Sequence, residues 1–140
     1  ILKNYQASVE TVNEFFKEEY EEMKLVSGIV NSSKALSPGI YMANAEENDI
    51  ITRTVLSKTA EEILSTKGVQ AVFVVGRTNN SEVSISARSL TDFNVQVIME
   101  RLGGGGHINT AGTQFQHTDM DEAIKALKET IDTMIAEGDI

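Results

Sequence analysis

The chain contains no cysteine. Disulfides are excluded, and so is any zinc site built on thiolates. The absence is compatible with the cytoplasm, where we expect the chain to reside. Long apolar runs are missing too: none approaches the roughly 20 residues needed to span a bilayer. Ile1 to Glu10 have neither the basic start nor the apolar centre of a signal peptide. Positive charge is scarce. The 140 residues hold 12 Lys and Arg against 21 Asp and Glu, a net charge of −9. Such a chain is a poor candidate for gripping long nucleic acid, where many phosphates must be neutralised. The acidic excess lies in the flanks, however. Between Gly68 and Thr118 three basic residues (Arg77, Arg88, Arg101) balance three acidic ones (Glu82, Asp92, Glu100). A small anionic ligand could sit there without strong repulsion.

What is present is a regular alternation of patterns. Tyr5, Val9, Val12, Phe16, Tyr20 and Met23 step by three and four along one helical face, with glutamates on the rest. Nothing caps this helix before Ile1, as if it began inside a longer protein, and Gly28 is expected to end it. Two short extended stretches follow, up to Leu36 and from Ile40 to Ala43, joined by the turn residues Ser37-Pro38-Gly39. Asp49 is the expected cap of a helix carrying Ile51, Val55, Thr59 and Ile63, with Gly68 as a stop beyond its last turn. Val69 to Gly76 is a nearly continuous apolar run, the mark of a central strand buried on both faces. After a turn at Thr78 to Ser81, Val83, Ile85 and Ala87 alternate with Ser84, Ser86 and Arg88. Period two gives a strand with one apolar and one polar face, and Arg88 points with the serines. Asn94 caps a short helix, Thr113 to Gln116 is one more strand, and Asp119 to Glu137 is a last helix. The order implies an α/β fold: a mixed β-sheet of about five strands flanked by helices and preceded by one long helix.

The chemistry lies between the short helix and the last strand. Gly103, Gly104, Gly105 and Gly106 are consecutive. A helix stop needs only one glycine. Such a run is either a flexible loop or a backbone shaped for close approach to phosphate oxygens. It is not a Walker loop, for no Gly-Lys-Ser or Gly-Lys-Thr follows. His107 ends the run and favours the second reading, because an imidazole there can donate to a phosphate or leaving oxygen. Arg88-Ser89 is more evenly poised between an ordinary surface arginine and a guanidinium that pairs with phosphate or stacks on a base. His117 reads as an exposed strand-end residue. Asp119 and Asp121 look like a metal pair, but their place at a helix start suits the helix dipole instead. No metal set and no nucleophile–base arrangement is evident, so these residues make a binding site without a catalytic group.

Ser86-Ala87-Arg88-Ser89 followed by Gly103-Gly104-Gly105-Gly106-His107-Ile108-Asn109-Thr110-Ala111-Gly112 resembles the DHH-associated domain, the C-terminal subdomain of DHH-family phosphoesterases. Within that family the likeness points to the membrane-anchored cyclic di-AMP phosphodiesterases of Gram-positive bacteria. The resemblance implies a division into residues 1–27, a connector helix from an upstream DHH lobe, and residues 28–140, the substrate-binding domain. It implies hydrolysis of cyclic di-AMP to the linear dinucleotide, with a pair of manganese ions in the upstream lobe activating water. Gly103 to His107 would line the phosphate, and Arg88 with Ser89 would hold phosphate or base. The chain has no Asp-His-His motif, so no catalytic or metal residue is expected within it. Two other readings compete: a lobe serving single strands or short oligonucleotides, and a non-catalytic module that senses a small ligand or mediates dimers.

Overall fold

A computed structural model describes residues 2–140, with side chains from Val12 onward. The expected helical stripe becomes α1, Leu2–Asn31. Tyr5 and Val9, expected on its apolar face, have side chains outside the described residues. The break expected at Gly28 is not there. One glycine costs a helix only about 1 kcal/mol, and Val26, Ile29 and Val30 on either side of it pack into a core. The helix ends instead where the hydroxyls of Ser32 and Ser33 donate to the carbonyls of Ile29 and Val30, both at 2.6 Å.

The Pro38-Gly39 turn joins β1, Lys34–Ser37, to β2, Ile40–Asn44, as an antiparallel hairpin. The next helix, α2, spans Arg53–Leu64 and is capped by Thr52, whose hydroxyl accepts from the Val55 amide at 3.1 Å, and not by Asp49. The reason is tertiary: the Ile51 amide bonds the Arg77 carbonyl at 2.7 Å, which keeps Ile50 and Ile51 extended. The apolar run forms β3, Ala71–Asn79, and the alternating run forms β4, Glu82–Ser89. Then come α3, Val95–Arg101, capped by Asn94; β5, Gly105–His107; β6, Thr110–Gln116; and α4, Met120–Glu137, capped by Asp119.

The six strands form one mixed sheet in the order β1-β2-β3-β4-β6-β5, with β2 and β3 parallel and the other pairs antiparallel. The sixth strand, against about five expected, is β5, made from the glycine run itself. Glycines carry no side-chain alternation, so sequence gives no strand signal there. Each face of the sheet has its own core. On one face Val72 and Val74 pack with Leu56, Ala60 and Ile63 of α2 and Ile29 of α1. On the other, Phe73, Ile85, Ala87 and Ala111 pack with Ile98 and Met99 of α3 and Leu127 and Ile131 of α4. Among the described residues no helix is long and apolar enough to cross a membrane.

The consequence for function is an uneven cover. Helices α1 and α2 lie over β2, β3 and β4, while α3 and α4 back the opposite face. The β6–β5 side of the first face carries exposed Thr110, Gln114 and His107.

Candidate functional site

Strand register places the sequence-selected residues. Arg88 on β4 faces Thr110 on β6, and Thr110 faces His107 on β5. Paired residues in a sheet project to the same side. Val72, the other partner of Arg88, belongs to the α2-side core. Arg88, Thr110 and His107 therefore form one row on the open part of that face. Arg88 and His107 are two strands apart, roughly 10 Å between backbones. The neighbouring row is Ser86, Gly112 and Gly105, a shelf of small residues.

The four glycines do different things. Gly103 has φ +86° and follows α3 directly. Its amide bonds the Glu100 carbonyl at 3.1 Å and that of Gly104 bonds Met99 at 2.8 Å, a Schellman closure of the helix. These two amides are thus committed and cannot also serve a ligand. A side chain on Gly104 would overlap the Gly112 carbonyl oxygen and lie 2.5 Å from Thr113 Cβ. Gly106 has φ +141° and lies against Ala111 Cα and the Thr110 oxygen, both 2.5 Å from where a Cβ would be. Gly105 alone in the run has neither a positive φ nor anything within 4 Å of a Cβ. The fold does not require a glycine there.

The arginines separate in a similar way. Arg53 pairs with Glu82, Arg77 with Glu47, and Arg101 with Glu137 and Asp139. Arg88 has no carboxylate partner among the described residues; its Nη1 donates to the neighbouring Ala87 carbonyl at 2.8 Å. It is half-buried and belongs to the row shared with His107. At the far end of the same face Glu82 is held well below the usual carboxylate range, at about 2. Hydrogen bonds from the Thr78 hydroxyl and the Gln116 amide lead this effect, and Arg53 adds to it. The one acid on this part of β4 is thereby charged but already matched.

Ser89 does not share the open face. It is buried on the opposite side, where its hydroxyl donates to the Phe93 carbonyl at 2.6 Å and accepts from Asn109 Nδ2 at 3.0 Å. Asn109 is the residue that sequence reasoning passed over. It sits in the two-residue turn between β5 and β6, and asparagine in a turn is too common to mark a site. His117 is exposed just past β6, with φ 54°. Asp119 is occupied as a cap, its carboxylate accepting the Glu122 amide at 2.8 Å. Among the described residues no three carboxylate or imidazole groups stand together in a way that could hold a metal ion. The described residues do not fit a manganese pair.

Comparison with known proteins gives the family and the fold. Over 93 residues the chain is 45% identical to the cyclic-di-AMP phosphodiesterase GdpP of Geobacillus thermodenitrificans, covering 66% of this chain and 14% of that protein. It is 37% identical over 131 residues to the cyclic-di-AMP phosphodiesterase PdeA of Listeria monocytogenes, covering 94% of this chain and 20% of the relative. The chain thus spans a fifth or less of the length of these relatives. A crystal structure of an exopolyphosphatase-related protein from Bacteroides fragilis shares the fold, with a TM-score of 0.63 at 19% identity over 81% of this chain and 34% of that one. The DHHA1 domain family matches residues 38–133, from the β1–β2 turn into the last helix and across the whole glycine–histidine segment; the chain belongs to that family.

Proposed function

We propose that this chain is the substrate-binding lobe of a DHH-family phosphodiesterase that hydrolyses cyclic di-AMP to the linear dinucleotide. One observation carries the reading. The open part of one sheet face holds the arginine without a carboxylate among the described residues, an exposed imidazole, and the one glycine of its run that the fold does not need. A cation, a donor and an unobstructed backbone in two adjacent rows suit a phosphate with a flat group beside it. The names and identities of the relatives support the choice of cyclic dinucleotide.

In this reading Arg88 supplies charge and bidentate donors, His107 donates to a phosphate oxygen, and Gly105 lets the ligand approach the edge strand. Gly103, Gly104, Gly106 and Ser89 act behind this surface and shape it. The metals, and the water they activate, belong to an upstream DHH lobe, which closes over the open face; the parent protein is anchored to the membrane, with this domain on the cytoplasmic side. Half of a cleft leaves its ligand half solvated, so this chain alone binds weakly.

The test is a binding comparison by calorimetry or NMR titration. Cyclic di-AMP, linear diadenylate and a single-stranded oligonucleotide are titrated into the chain and into an Arg88→Ala variant. Preference for a dinucleotide, lost with Arg88, is the expected result. Preference for the oligonucleotide points to the alternative lobe of a single-strand exonuclease. Binding that ignores Arg88 overturns the site.

A further inference from the structure

Strand pairing alone gives the turn that presents His107 little support. Strand β5 is three residues long, lies at the sheet edge, and pairs with β6 alone. Its two-residue turn, Ile108-Asn109, has no positive φ at either position, so it is not one of the primed turns that match strand twist. A hairpin of this kind is marginal without outside contacts.

Those contacts exist; one side chain makes three of them, and the turn backbone makes others. Asn109 Nδ2 reaches Ser89 Oγ at 3.0 Å, the Thr91 carbonyl at 3.0 Å and the Phe93 carbonyl at 3.4 Å. The Asn109 carbonyl accepts the Ser89 amide at 3.1 Å, and the Ile108 carbonyl accepts the Val95 amide at 2.9 Å. Ser89 follows Arg88 directly. The bonds therefore tie the residue after the arginine to the residues after the histidine. They also bridge a strained segment: Thr91 has φ 44°, a conformation a β-branched residue rarely adopts. Strain of this kind persists only where surrounding contacts over-determine it.

We infer that Asn109 is a positioning residue which, clasped to Ser89, fixes the His107 turn against the end of the Arg88 strand and so sets the spacing of the two phosphate-binding groups. The inference rests on the functional reading above, and it deepens that reading with a residue that touches no ligand. The side chain acts through His107. Its removal leaves Arg88 and His107 chemically intact but lets the turn swing away from the row they share with Thr110.

The experiment is a double-mutant cycle on the 140-residue chain. Affinity for cyclic di-AMP is measured by NMR titration for the wild type, Asn109→Ala, His107→Ala and the double variant. We expect Asn109→Ala to weaken binding about tenfold, and the double variant to bind no more weakly than His107→Ala alone, because a group acting through another adds nothing once that other is gone. Losses that multiply overturn the inference. If His107→Ala leaves binding unchanged, the functional reading has failed, and the clasp is then decided by spectra without ligand. Asn109→Ala must shift the His107 imidazole and the Gly105 and Gly106 amides while sparing the distant β1–β2 hairpin; unchanged signals at His107 refute positioning. Should Asn109→Ala not fold, Ser89→Ala removes the hydroxyl half of the clasp and must give a smaller effect with the same pattern.

Discussion

Replacing Gly105 with alanine separates ligand approach from fold in a single experiment. A methyl at this position meets no atom within 4 Å, and the backbone φ lies outside the left-handed region. The folded state therefore accepts it without strain. The unfolded chain loses freedom, so stability rises by about 0.4–1 kcal/mol. For a domain of this size that is a gain of about 1–4 °C in melting temperature. The neighbours serve as controls. Gly104→Ala forces a methyl into the Gly112 carbonyl, and Gly106→Ala forces one to 2.5 Å from Ala111 Cα at a φ of +141°. Both must lower the melting temperature. Against ligand the order reverses: the Gly105 methyl projects onto the shelf of Ser86 and Gly112, and tenfold weaker binding of cyclic di-AMP, about 1.4 kcal/mol, is expected. Melting curves beside NMR titrations read both quantities. A Gly105→Ala variant that is more stable and binds as well as wild type refutes the assignment of this glycine to ligand approach. One that melts early refutes the account of the space around it.

His107→Ala should weaken binding roughly 10- to 100-fold at unchanged melting temperature, since a hydrogen bond to a charged oxygen is worth about 1.5–3 kcal/mol; calorimetry of the variant checks this. Rigorously purified chain with manganese added should release no linear dinucleotide from cyclic di-AMP by chromatography, because two-metal hydrolysis needs a clamp around both ions. Glu82 is depressed to about 2 in the fold, below its unfolded value, so its share of stability is present above pH about 4.5 and lost as pH falls from there toward about 2. Glu82→Gln should flatten the pH dependence of denaturant stability in that window and leave it unaltered at pH 7 to 8. Phe15, Phe16, Tyr20 and Met23 of α1 are more than half exposed, a patch that favours association; replacing Phe16 and Tyr20 with glutamate should reduce self-association in sedimentation at high concentration.

The elements that sequence predicted well are those where one period dominates. Val69 to Gly76, too short for a helix, read as a buried strand and forms most of β3 from Ala71, and the alternation from Val83 to Arg88 fixed which side Arg88 takes. Asn94 and Asp119 act as caps because short polar side chains at those places satisfy amides that nothing else reaches. Prediction failed where a local signal met a tertiary contact. Gly28 stops nothing because its flanks are buried, and Asp49 caps nothing because Ile51 is held by Arg77. The candidate site was marked in sequence by residue type, while its geometry was not. The glycine run and His107 marked a candidate segment, yet four identical letters could not reveal that three of them serve backbone shape. Ser89 read as a partner of Arg88, whereas strand alternation puts its hydroxyl on the other face, against Asn109, twenty residues away in sequence.

The Schellman closure at Gly103 and Gly104 bears on how a ligand would be received. Because these residues finish a helix and Gly105 to His107 lie in a strand, no stretch of the run is left as slack chain. The large entropy that glycine loses on ordering, at the upper end of about 1–2 kcal/mol per residue, is surrendered when the domain folds. None of it remains to be charged against binding, so the surface is preorganised. Association should accordingly proceed without a slow ordering step in this lobe, and amide exchange across residues 103–107 should be slowed before any ligand is added.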